Sequence, residues 1–276
     1  MMKGRLLFLL NQFGIPHNVQ KFLYAKYLKL YNLFKYGDPN FIRSLTIETS
    51  TYCNRKCYYC PNSLETVPEL FMTEECFKLV VERLCEINFT GTINFAFYNE
   101  PLLDRRLPFF VSFLKSKRPG CLVFINTNGD YLTAELAEIL IKSGVNLFLV
   151  TNHDIDGSSY MNAKRELFEK YSSHIKLQNI HEDALLNRGG IINVKRNVMV
   201  EERKSICDEM CDMPIIDYTG NVLLCCNDYH RKHVIGNIYQ NSLYKIWKHE
   251  PYKTIRNKLR RGIADLEICK KCMNIG

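Results

Sequence analysis

Apolar and polar residues follow two alternating rhythms along the middle of the chain. Short apolar runs with the length of β-strands occur at 45–48, 93–98, 122–126, 145–150, 175–180 and 191–198. Longer amphipathic segments with helical periodicity lie at 73–86, 105–116, 133–142 and 162–171. Strands that alternate with helices predict right-handed βαβ units and a parallel sheet. About six units would form a doubly wound layer or a partial barrel, with functional groups at the C-terminal ends of the strands.

The alternation ends near residue 200. Two short apolar segments, 215–217 and 222–225, flank the turn-forming residues 218–221 and predict a β-hairpin. Ser242 is placed to cap a short helix, and a basic helix is predicted over 251–261. These patterns predict three regions, which are a basic helical extension over 1–43, an α/β domain over 44–200 and a small cysteine-bearing domain over 201–276.

The first region carries most of the excess positive charge. The chain has a formal net charge of +8, and residues 1–44 contain seven Lys or Arg and a single acid, Asp38, which is +6. Their lysines alternate with aromatic and aliphatic residues in a helix-like pattern. The simplest interpretation is an extra helix that packs on the main domain. The alternative is a surface that weakly contacts an anionic membrane or binds a phosphorylated substrate.

The cysteines are unevenly distributed. Of the twelve, nine are concentrated at 53–60, 207–226 and 269–272. In a reducing compartment such spacing indicates metal or iron–sulfur ligation rather than disulfides. No apolar run approaches the roughly 20 residues that span a bilayer, and the apolar residues 6–10 lack a signal-peptide cleavage site. We therefore expect a cytoplasmic protein, and we expect no nucleic-acid partner.

Three cysteines follow the first predicted strand with the spacing Cys-x3-Cys-x2-Cys, namely Cys53, Cys57 and Cys60. Three thiolates on one short loop can hold a metal cluster and leave one coordination position open. Structural metal sites are normally closed, whereas reactive sites keep a position open. The loop therefore predicts a reactive iron–sulfur site, and the alternative is a zinc knuckle completed by a distant ligand.

This loop resembles the signature of the radical S-adenosylmethionine superfamily. The resemblance implies a partial (β/α)6 TIM-type barrel in which the three cysteines bind a 4Fe-4S cluster. It also implies that S-adenosylmethionine chelates the open iron and, after reductive cleavage, yields a 5′-deoxyadenosyl radical that takes hydrogen from a substrate. In this family an aromatic residue just before the third cysteine lies against adenine, and Tyr59 occupies that place.

Two further strand ends match the same family. Asn99-Glu100-Pro101 follows the second strand, where the family has a Gly-Glu-Pro-like motif whose carboxylate meets the cofactor's ammonium. Asn99 replaces the usual glycine. Asn126 and Asn128 follow the third strand and match the segment near the cofactor's ribose and carboxylate. The resemblance therefore implies that these five residues bind the cofactor.

Arg188 lies just before the last predicted strand, in the sequence Asn187-Arg188-Gly189-Gly190. The two glycines predict a turn, and the guanidinium is placed to meet an anionic or hydroxylated group at the mouth of the barrel. We therefore predict Arg188 as a catalytic, substrate-contacting residue. The simpler interpretation is a solvated arginine in a surface turn.

The C-terminal cysteines resemble the SPASM or twitch auxiliary-cluster domain of some radical enzymes, which is a β-hairpin plus a helix. The resemblance implies one auxiliary 4Fe-4S cluster with four ligands, Cys207, Cys225, Cys269 and Cys272. Cys211 is an alternative to Cys207, and Cys226 is an alternative to Cys225. The two further cysteines of a full SPASM domain do not follow Cys272, which favours the twitch form and a total of two clusters. The alternative is a structural zinc site of four cysteines.

The two resemblances together imply an oxidation. The radical would take a hydrogen atom from a substrate carbon, a base would remove a proton, and the auxiliary cluster would accept the remaining electron. The same short layout occurs in a family member that oxidises an aminocyclitol alcohol to a ketone. We expect a small sugar-like or cyclitol-like substrate and a reducing partner such as flavodoxin or ferredoxin. Two alternatives stay open, a maturase that modifies a ribosomal peptide and a non-catalytic zinc-binding module.

Overall fold

The computed structural model describes residues 16–37, 39, 41–153, 158–179, 187–193, 207 and 213–273. The chain divides into two compact units, 1–43 and 44–276. In the first unit, α1 spans His17–Tyr36 and ends at Gly37, whose left-handed backbone lets its N–H bond the carbonyl of Leu33. No helix in the described part of the chain is long and apolar enough to cross a membrane.

The second unit begins with the alternating strands and helices that the apolar pattern predicts. The strands are β1 (Ser44–Ile47), β2 (Thr92–Phe95), β3 (Leu122–Thr127), β4 (Leu147–Asn152) and β5 (Ile175–Asn179). The helices between them are α2 (Glu74–Glu86), α3 (Leu107–Lys117), α4 (Ala134–Ser143) and α5 (Ser158–Lys170). Thr73 and Thr133 cap α2 and α4 by accepting a backbone N–H of the first turn.

The described residues of the C-terminal part, from 213 to 273, add short strands and helices to this unit. They are β6 (Ile215–Ile216), β7 (Asn221–Leu223), β8 (Val234–Asn237), α6 (Leu243–Lys248), α7 (Tyr252–Leu259) and α8 (Glu267–Met273). β6 and β7 form the predicted hairpin, and Ser242 caps α6 by accepting the N–H of Lys245. The sequence pattern did not predict β8 or α8.

Within the described ranges, the strands form one open sheet in the order β5-β4-β3-β2-β1-β6-β7-β8. β1 to β5 are parallel neighbours, and β6 also runs parallel to β1, with Thr46 opposite Ile215. The prediction of an α/β fold built on an incompletely closed parallel sheet is therefore confirmed. The predicted last strand at 191–198 is wrong for residues 191–193, which are not a strand, and residues 194–198 lie outside the described residues. The sixth parallel strand is β6 instead.

The core lies between the sheet and the helices that cover it. Phe77 of α2 stacks on Phe110 of α3, with ring centroids 4.2 Å apart, and on Phe95 of β2 at 6.1 Å. All three rings are fully buried, and a buried side chain of this kind stabilises the fold by about 1.5–3 kcal/mol. This packing brings the C-terminal ends of neighbouring parallel strands to one edge of the sheet, where the loops with the predicted site residues begin.

Candidate active site

Cys53, Cys57 and Cys60 lie on the loop that follows β1. The N–H of Cys60 donates to the carbonyl of Cys57 at 2.8 Å, which closes a turn between the last two cysteines. All three thiols are half-buried. Burial raises the pKa of Cys53 to about 11 and also raises that of Cys60. Ligation requires thiolates, so these side chains need a nearby positive charge such as the irons of a cluster.

A hydrogen-bonded clamp fixes this cysteine loop to the end of β3. Arg55 donates to both carboxylate oxygens of Asp130, at 2.7 and 2.6 Å, and Asn54 donates to the same carboxylate at 2.7 Å. Asn128 in turn donates to the side-chain oxygen of Asn54 at 2.9 Å. Burial opposes ionisation, but the donors Arg55 and Asn54 hold the pKa of Asp130 below its usual range. The bidentate ion pair gives the loop a defined orientation, and no sequence pattern had indicated it.

Glu100 is buried where the loops after β2 and β3 meet. Its Oε1 accepts from the Thr127 hydroxyl at 2.6 Å and from the Leu102 N–H at 3.0 Å, and its Oε2 accepts from the Asn128 N–H at 2.8 Å. Burial raises the pKa of Glu100, and these three donors oppose the shift. A carboxylate offers about four acceptor sites, so Glu100 keeps capacity for one more donor, such as the ammonium of S-adenosylmethionine.

Asn99 and Asn126 present buried polar atoms at the same strand ends. Asn99 Oδ1 accepts from the Phe97 N–H at 2.9 Å. Among the described residues, neither Asn99 Nδ2 nor Asn126 Oδ1 has a hydrogen-bond partner. Pro101 is buried as the first residue of the short 3-10 helix Pro101–Leu103. An unsatisfied buried polar group costs about 1–3 kcal/mol, so this donor and this acceptor fit a bound ligand rich in amino, carboxylate and hydroxyl groups.

Tyr59 packs against the residue that follows β4. Its ring lies 15° from parallel with the imidazole of His153, with centroids 6.0 Å apart, and its hydroxyl is hydrogen-bonded to His153 Nδ1. Tyr58 contacts the Tyr59 ring edge-on at 5.1 Å. These contacts hold the cysteine loop, at Tyr59, against the residue that follows β4. The contact of Tyr59 with adenine stays a prediction.

Four thiols meet around a cavity in the C-terminal part of the chain. The cavity has a volume of about 50 Å³, and the thiols that line it belong to Cys207, Cys225, Cys269 and Cys272. We call it the auxiliary cavity. Burial raises the pKa of Cys269 to about 12 and that of Cys225 well above its usual range. As on the first loop, thiolates here need a compensating positive charge.

The lining of the auxiliary cavity includes Cys225, one of the two predicted alternatives Cys225 and Cys226. Cys226 is not among the described residues that line it, and its carbonyl accepts from the Tyr98 hydroxyl at 2.8 Å. Cys211 lies outside the described residues, so the geometry supports Cys225 but does not compare Cys207 with Cys211. In the described ranges no three Cys, His, Asp or Glu side chains are grouped so that they could hold a single metal ion. Each thiolate of a 4Fe-4S cluster binds its own iron, so thiols spread around a cavity fit a cluster.

An amide and a guanidinium also line the auxiliary cavity. Asn227 Nδ2 donates to the sulfur of Cys272 at 3.0 Å. Arg256 of α7 is only 2% exposed. An N–H donor and a cation beside the four thiols suit an anionic group, so these residues fit a thiolate-bound cluster. No sequence pattern had indicated either of them.

Arg188 lies on a turn that is packed against the last helix. Its own backbone is left-handed, with φ +50°, and Gly189 follows with φ +68°. A Cβ on Gly189 would lie 2.7 Å from Cγ1 of Ile268, so only glycine fits there without displacement. Ile268 belongs to α8, which also carries Cys269 and Cys272, and α8 therefore positions the turn of Arg188.

The guanidinium of Arg188 acts on both groups of cysteines. It lies 5.8 Å from the ring centroid of Tyr98. Burial raises the pKa of the Cys60 thiol and, to about 11, that of the Cys226 thiol, and the positive charge of Arg188 opposes both shifts. Tyr98 in turn accepts from Asn62 of the first cysteine loop and donates its hydroxyl to the carbonyl of Cys226, so Arg188 lies over a residue that contacts both cysteine loops.

A set of side-chain contacts links the same two loops directly. Asn62, which follows Cys60 closely, donates to the Tyr98 carbonyl at 2.6 Å and accepts from the Tyr229 hydroxyl at 2.9 Å. The rings of Tyr98 and Tyr229 meet edge-on with centroids 4.8 Å apart. Because Tyr229 lies shortly after Cys225, these contacts hold the two cysteine loops in a fixed relation.

A buried ion network lies at the ends of β1 and β6. Glu48 is fully buried and accepts from Arg231 Nη2 with both carboxylate oxygens, each at 2.8 Å. Arg231 Nε lies 3.5 Å from Asp217 Oδ2. Burial raises the pKa of Glu48 to about 7, and the charge of Arg231 opposes that shift. The network ties the first cysteine loop to the C-terminal hairpin, and no sequence pattern had indicated it.

Comparison with known proteins places both cysteine groups in characterised domains. Residues 47–178 match the Radical SAM superfamily, and residues 207–273 match SPASM, an iron-sulfur cluster-binding domain. The S-adenosyl-L-methionine-dependent 2-deoxy-scyllo-inosamine dehydrogenase of Niallia circulans is 32% identical over 240 residues, which are 84% of this chain and 92% of the relative.

Solved structures show the same fold. BtrN in complex with AdoMet and 2-DOIA has a TM-score of 0.74 and 30% identity, over 85% of this chain and 94% of that chain. The protein anSMEcpe with bound AdoMet has a TM-score of 0.59 at 17% identity, over 82% and 87%, which is a likeness of fold alone. The predicted cofactors, 4Fe-4S clusters and S-adenosylmethionine, are confirmed, as is the radical oxidoreductase class, which argues against a non-catalytic zinc module. The chain belongs to the radical S-adenosylmethionine superfamily and carries a C-terminal SPASM iron–sulfur domain.

Proposed function

We propose that this chain oxidises an alcohol of a sugar or aminocyclitol to a ketone. The observation that supports this best is the position of Arg188 over the ring of Tyr98, because Tyr98 is hydrogen-bonded to Asn62 beside the first cysteine group and to the carbonyl of Cys226 beside the second. A substrate held at Arg188 would lie between the place of hydrogen abstraction and an electron acceptor. The relative with 32% identity is a dehydrogenase of the aminocyclitol 2-deoxy-scyllo-inosamine.

In this proposal the two regions 44–200 and 201–276 each hold one cluster. The first-cluster ligands would be Cys53, Cys57 and Cys60, and the second-cluster ligands would be Cys207, Cys225, Cys269 and Cys272. The side chains that would bind S-adenosylmethionine are Tyr59, Asn99, Glu100, Pro101, Asn126 and Asn128. When bound, S-adenosylmethionine and the first cluster would supply the radical for hydrogen abstraction, and the second cluster would supply a one-electron acceptor. The protein positions them and excludes water.

Arg188 would hold the substrate rather than take its proton. A guanidinium offers five N–H donors and no acceptor, and it stays protonated in proteins. It therefore suits a substrate hydroxyl or an anionic oxygen. Because its turn packs on α8 at Ile268, the position of Arg188 depends on the helix that carries two auxiliary-cluster ligands.

Cluster content tests the two-cluster arrangement. Anaerobic reconstitution should give about eight irons per chain, four for each cluster. Replacing Cys53, Cys57 and Cys60 together with Ala should remove about half of the iron and all formation of 5′-deoxyadenosine. Replacing Cys76 with Ala is the matched control, because this buried thiol lies on α2 away from both groups and should change neither result. Continued 5′-deoxyadenosine formation by the triple variant would show that the first-cluster assignment is wrong.

The substrate class is tested with 2-deoxy-scyllo-inosamine as the probe and dithionite or reduced flavodoxin as the electron source. Mass spectrometry should show loss of two hydrogens from the probe and about one 5′-deoxyadenosine per ketone. Arg188→Gln should raise KM far more than Arg188→Lys, because lysine keeps a positive charge. Absence of a ketone from several sugars and cyclitols, together with modification of a peptide, would support the peptide-maturase alternative instead.

A weak membrane contact is a separate proposal for the N-terminal unit. Among the described side chains of α1, exposed apolar ones recur at helical spacing and include Val19, Leu23, Leu30, Leu33 and Phe34. Residues 1–44 carry a charge of +6, which complements an anionic surface. The full chain should therefore sediment with phosphatidylserine vesicles at low salt and not with phosphatidylcholine vesicles. Equal sedimentation of Phe34→Ser and wild-type protein would refute the contact.

A further inference from the structure

Arg256 places a buried positive charge beside the auxiliary cavity. Its Cζ lies 3.6 Å from the ring centroid of Trp247 and 4.3 Å from that of Tyr252. Aromatic faces attract a desolvated cation, and a guanidinium stays protonated even when buried. The stacking therefore holds a permanent cation in the wall of a cavity that four thiols share.

Asn227 adds a hydrogen-bond donor at a ligand sulfur. Its side chain is 4% exposed, and its Nδ2 donates to the sulfur of Cys272 at 3.0 Å. Asn227 also lines the cavity and follows Cys225 closely in the chain, so the loop that supplies one thiol supplies the donor to another. Hydrogen bonds to ligand sulfurs are among the factors that set the reduction potential of an iron–sulfur cluster.

Both features favour the reduced form of a cluster bound in this cavity. A cluster held by four thiolates is anionic, and the electron that reduces it makes it more negative. A nearby positive charge stabilises the more negative form to a greater extent, especially in a buried site of low dielectric constant. An N–H donor at a sulfur acts in the same direction because it attracts negative charge on that atom.

We infer that Arg256 and Asn227 raise the reduction potential of the auxiliary cluster and thereby make it an electron acceptor. This inference rests on the proposed function. Oxidation of an alcohol to a ketone releases two electrons and two protons. One electron and one proton would leave as the hydrogen atom that the 5′-deoxyadenosyl radical takes, a base would take the second proton, and the second electron would pass to a cluster bound in the auxiliary cavity. Arg256 and Asn227 are thus positioning residues that act through the cluster and do not touch the substrate.

The test is a redox titration of the anaerobic holoenzyme, with dithionite as reductant and EPR as readout. Added S-adenosylmethionine alters the signal of the first cluster and so separates it from the auxiliary signal. At a fixed applied potential, Arg256→Gln should raise the ratio of oxidised to reduced auxiliary cluster by tenfold or more. A tenfold change corresponds to a decrease of about 59 mV in the reduction potential of that cluster. Asn227→Leu should lower the potential less, because it removes a dipole and not a charge.

Two matched variants show whether charge is the cause. Arg256→Lys keeps a cation at the cavity and should stay close to the wild-type potential. Lys253→Gln removes an exposed cation from the same helix and should change nothing. Equal shifts in Arg256→Gln and Arg256→Lys, or no shift in Arg256→Gln, would overturn the inference. If Arg256→Gln loses the auxiliary iron while Arg256→Lys keeps it, the charge requirement is supported, and loss from both would count against it.

The redox result for Arg256→Gln and the test of the proposed function can fail independently of each other. A lower potential in Arg256→Gln without any oxidised sugar or cyclitol in the wild-type protein would support the electrostatic inference and refute the substrate class. Ketone formation by the wild-type protein with an unchanged potential in Arg256→Gln would support the substrate class and refute the electrostatic inference. Iron content, measured on every variant, excludes cluster loss as the cause of either result.

Discussion

Replacing Glu48 with Gln should make the stability of this protein less sensitive to pH. Glu48 is fully buried against Arg231, and burial raises its pKa from 4.5 to about 7. A carboxyl group whose pKa is higher in the folded protein than in the unfolded chain favours folding in its protonated form. Its contribution is therefore fully present below pH 4.5 and is lost as the pH rises through about 7.

The magnitude follows from the width of that window. Each pH unit between the two pKa values corresponds to about 1.4 kcal/mol, so the wild-type protein loses about 3 kcal/mol from this group between pH 4.5 and 7. The amide of Glu48→Gln does not titrate, so this position contributes no pH-dependent loss of unfolding free energy in the variant. The unfolding free energy of Glu48→Gln minus that of the wild-type protein should therefore increase by about 3 kcal/mol between pH 4.5 and pH 8.

Urea unfolding of anaerobically reconstituted proteins, followed by circular dichroism at several pH values, measures this difference. Glu82→Gln is the control, because Glu82 is an exposed carboxylate on α2 and its substitution should have a constant effect across the range. A wild-type-to-variant difference for Glu48→Gln that also stays constant would refute the reasoning. It would mean that the charge of Arg231 fully compensates the burial of Glu48.

Three further predictions follow from single contacts. Tyr229→Phe removes the bond to Asn62 but keeps the ring, and it should lower the unfolding free energy by about 1 kcal/mol in urea unfolding. Gly189→Ala combines φ +68° with a Cβ at 2.7 Å from Ile268, and it should cost about 1–3 kcal/mol and reduce auxiliary-cluster iron in metal analysis. Asp130→Asn should lower the melting temperature at pH 7. The difference should shrink as the pH falls below 3.8, since the pKa of Asp130 is lowered in the folded protein and its contribution is lost in acid.

The sequence by itself determined the local elements and the first cysteine motif. Apolar periodicity reflects short-range backbone geometry, so the strands and helices of residues 44–179 lie within a few residues of their predicted positions. The spacing of Cys53, Cys57 and Cys60 places three thiols on one loop whatever the rest of the fold does. Glu100 was predicted from its resemblance to a family motif, and the structure places it, buried, where the loops after β2 and β3 meet.

Only the tertiary structure decided which distant loops meet. Arg55 pairs with Asp130 across 75 residues, Tyr229 reaches Asn62 across 167, and Arg256 enters the wall of the auxiliary cavity. The strand β6 was predicted as part of a hairpin, but the sequence did not indicate that it would pair in parallel with β1. Apolar periodicity states which face of an element is buried but not which polar groups will share that burial. Buried charges need partners at specific distances, and those distances exist only once the loops have been brought together.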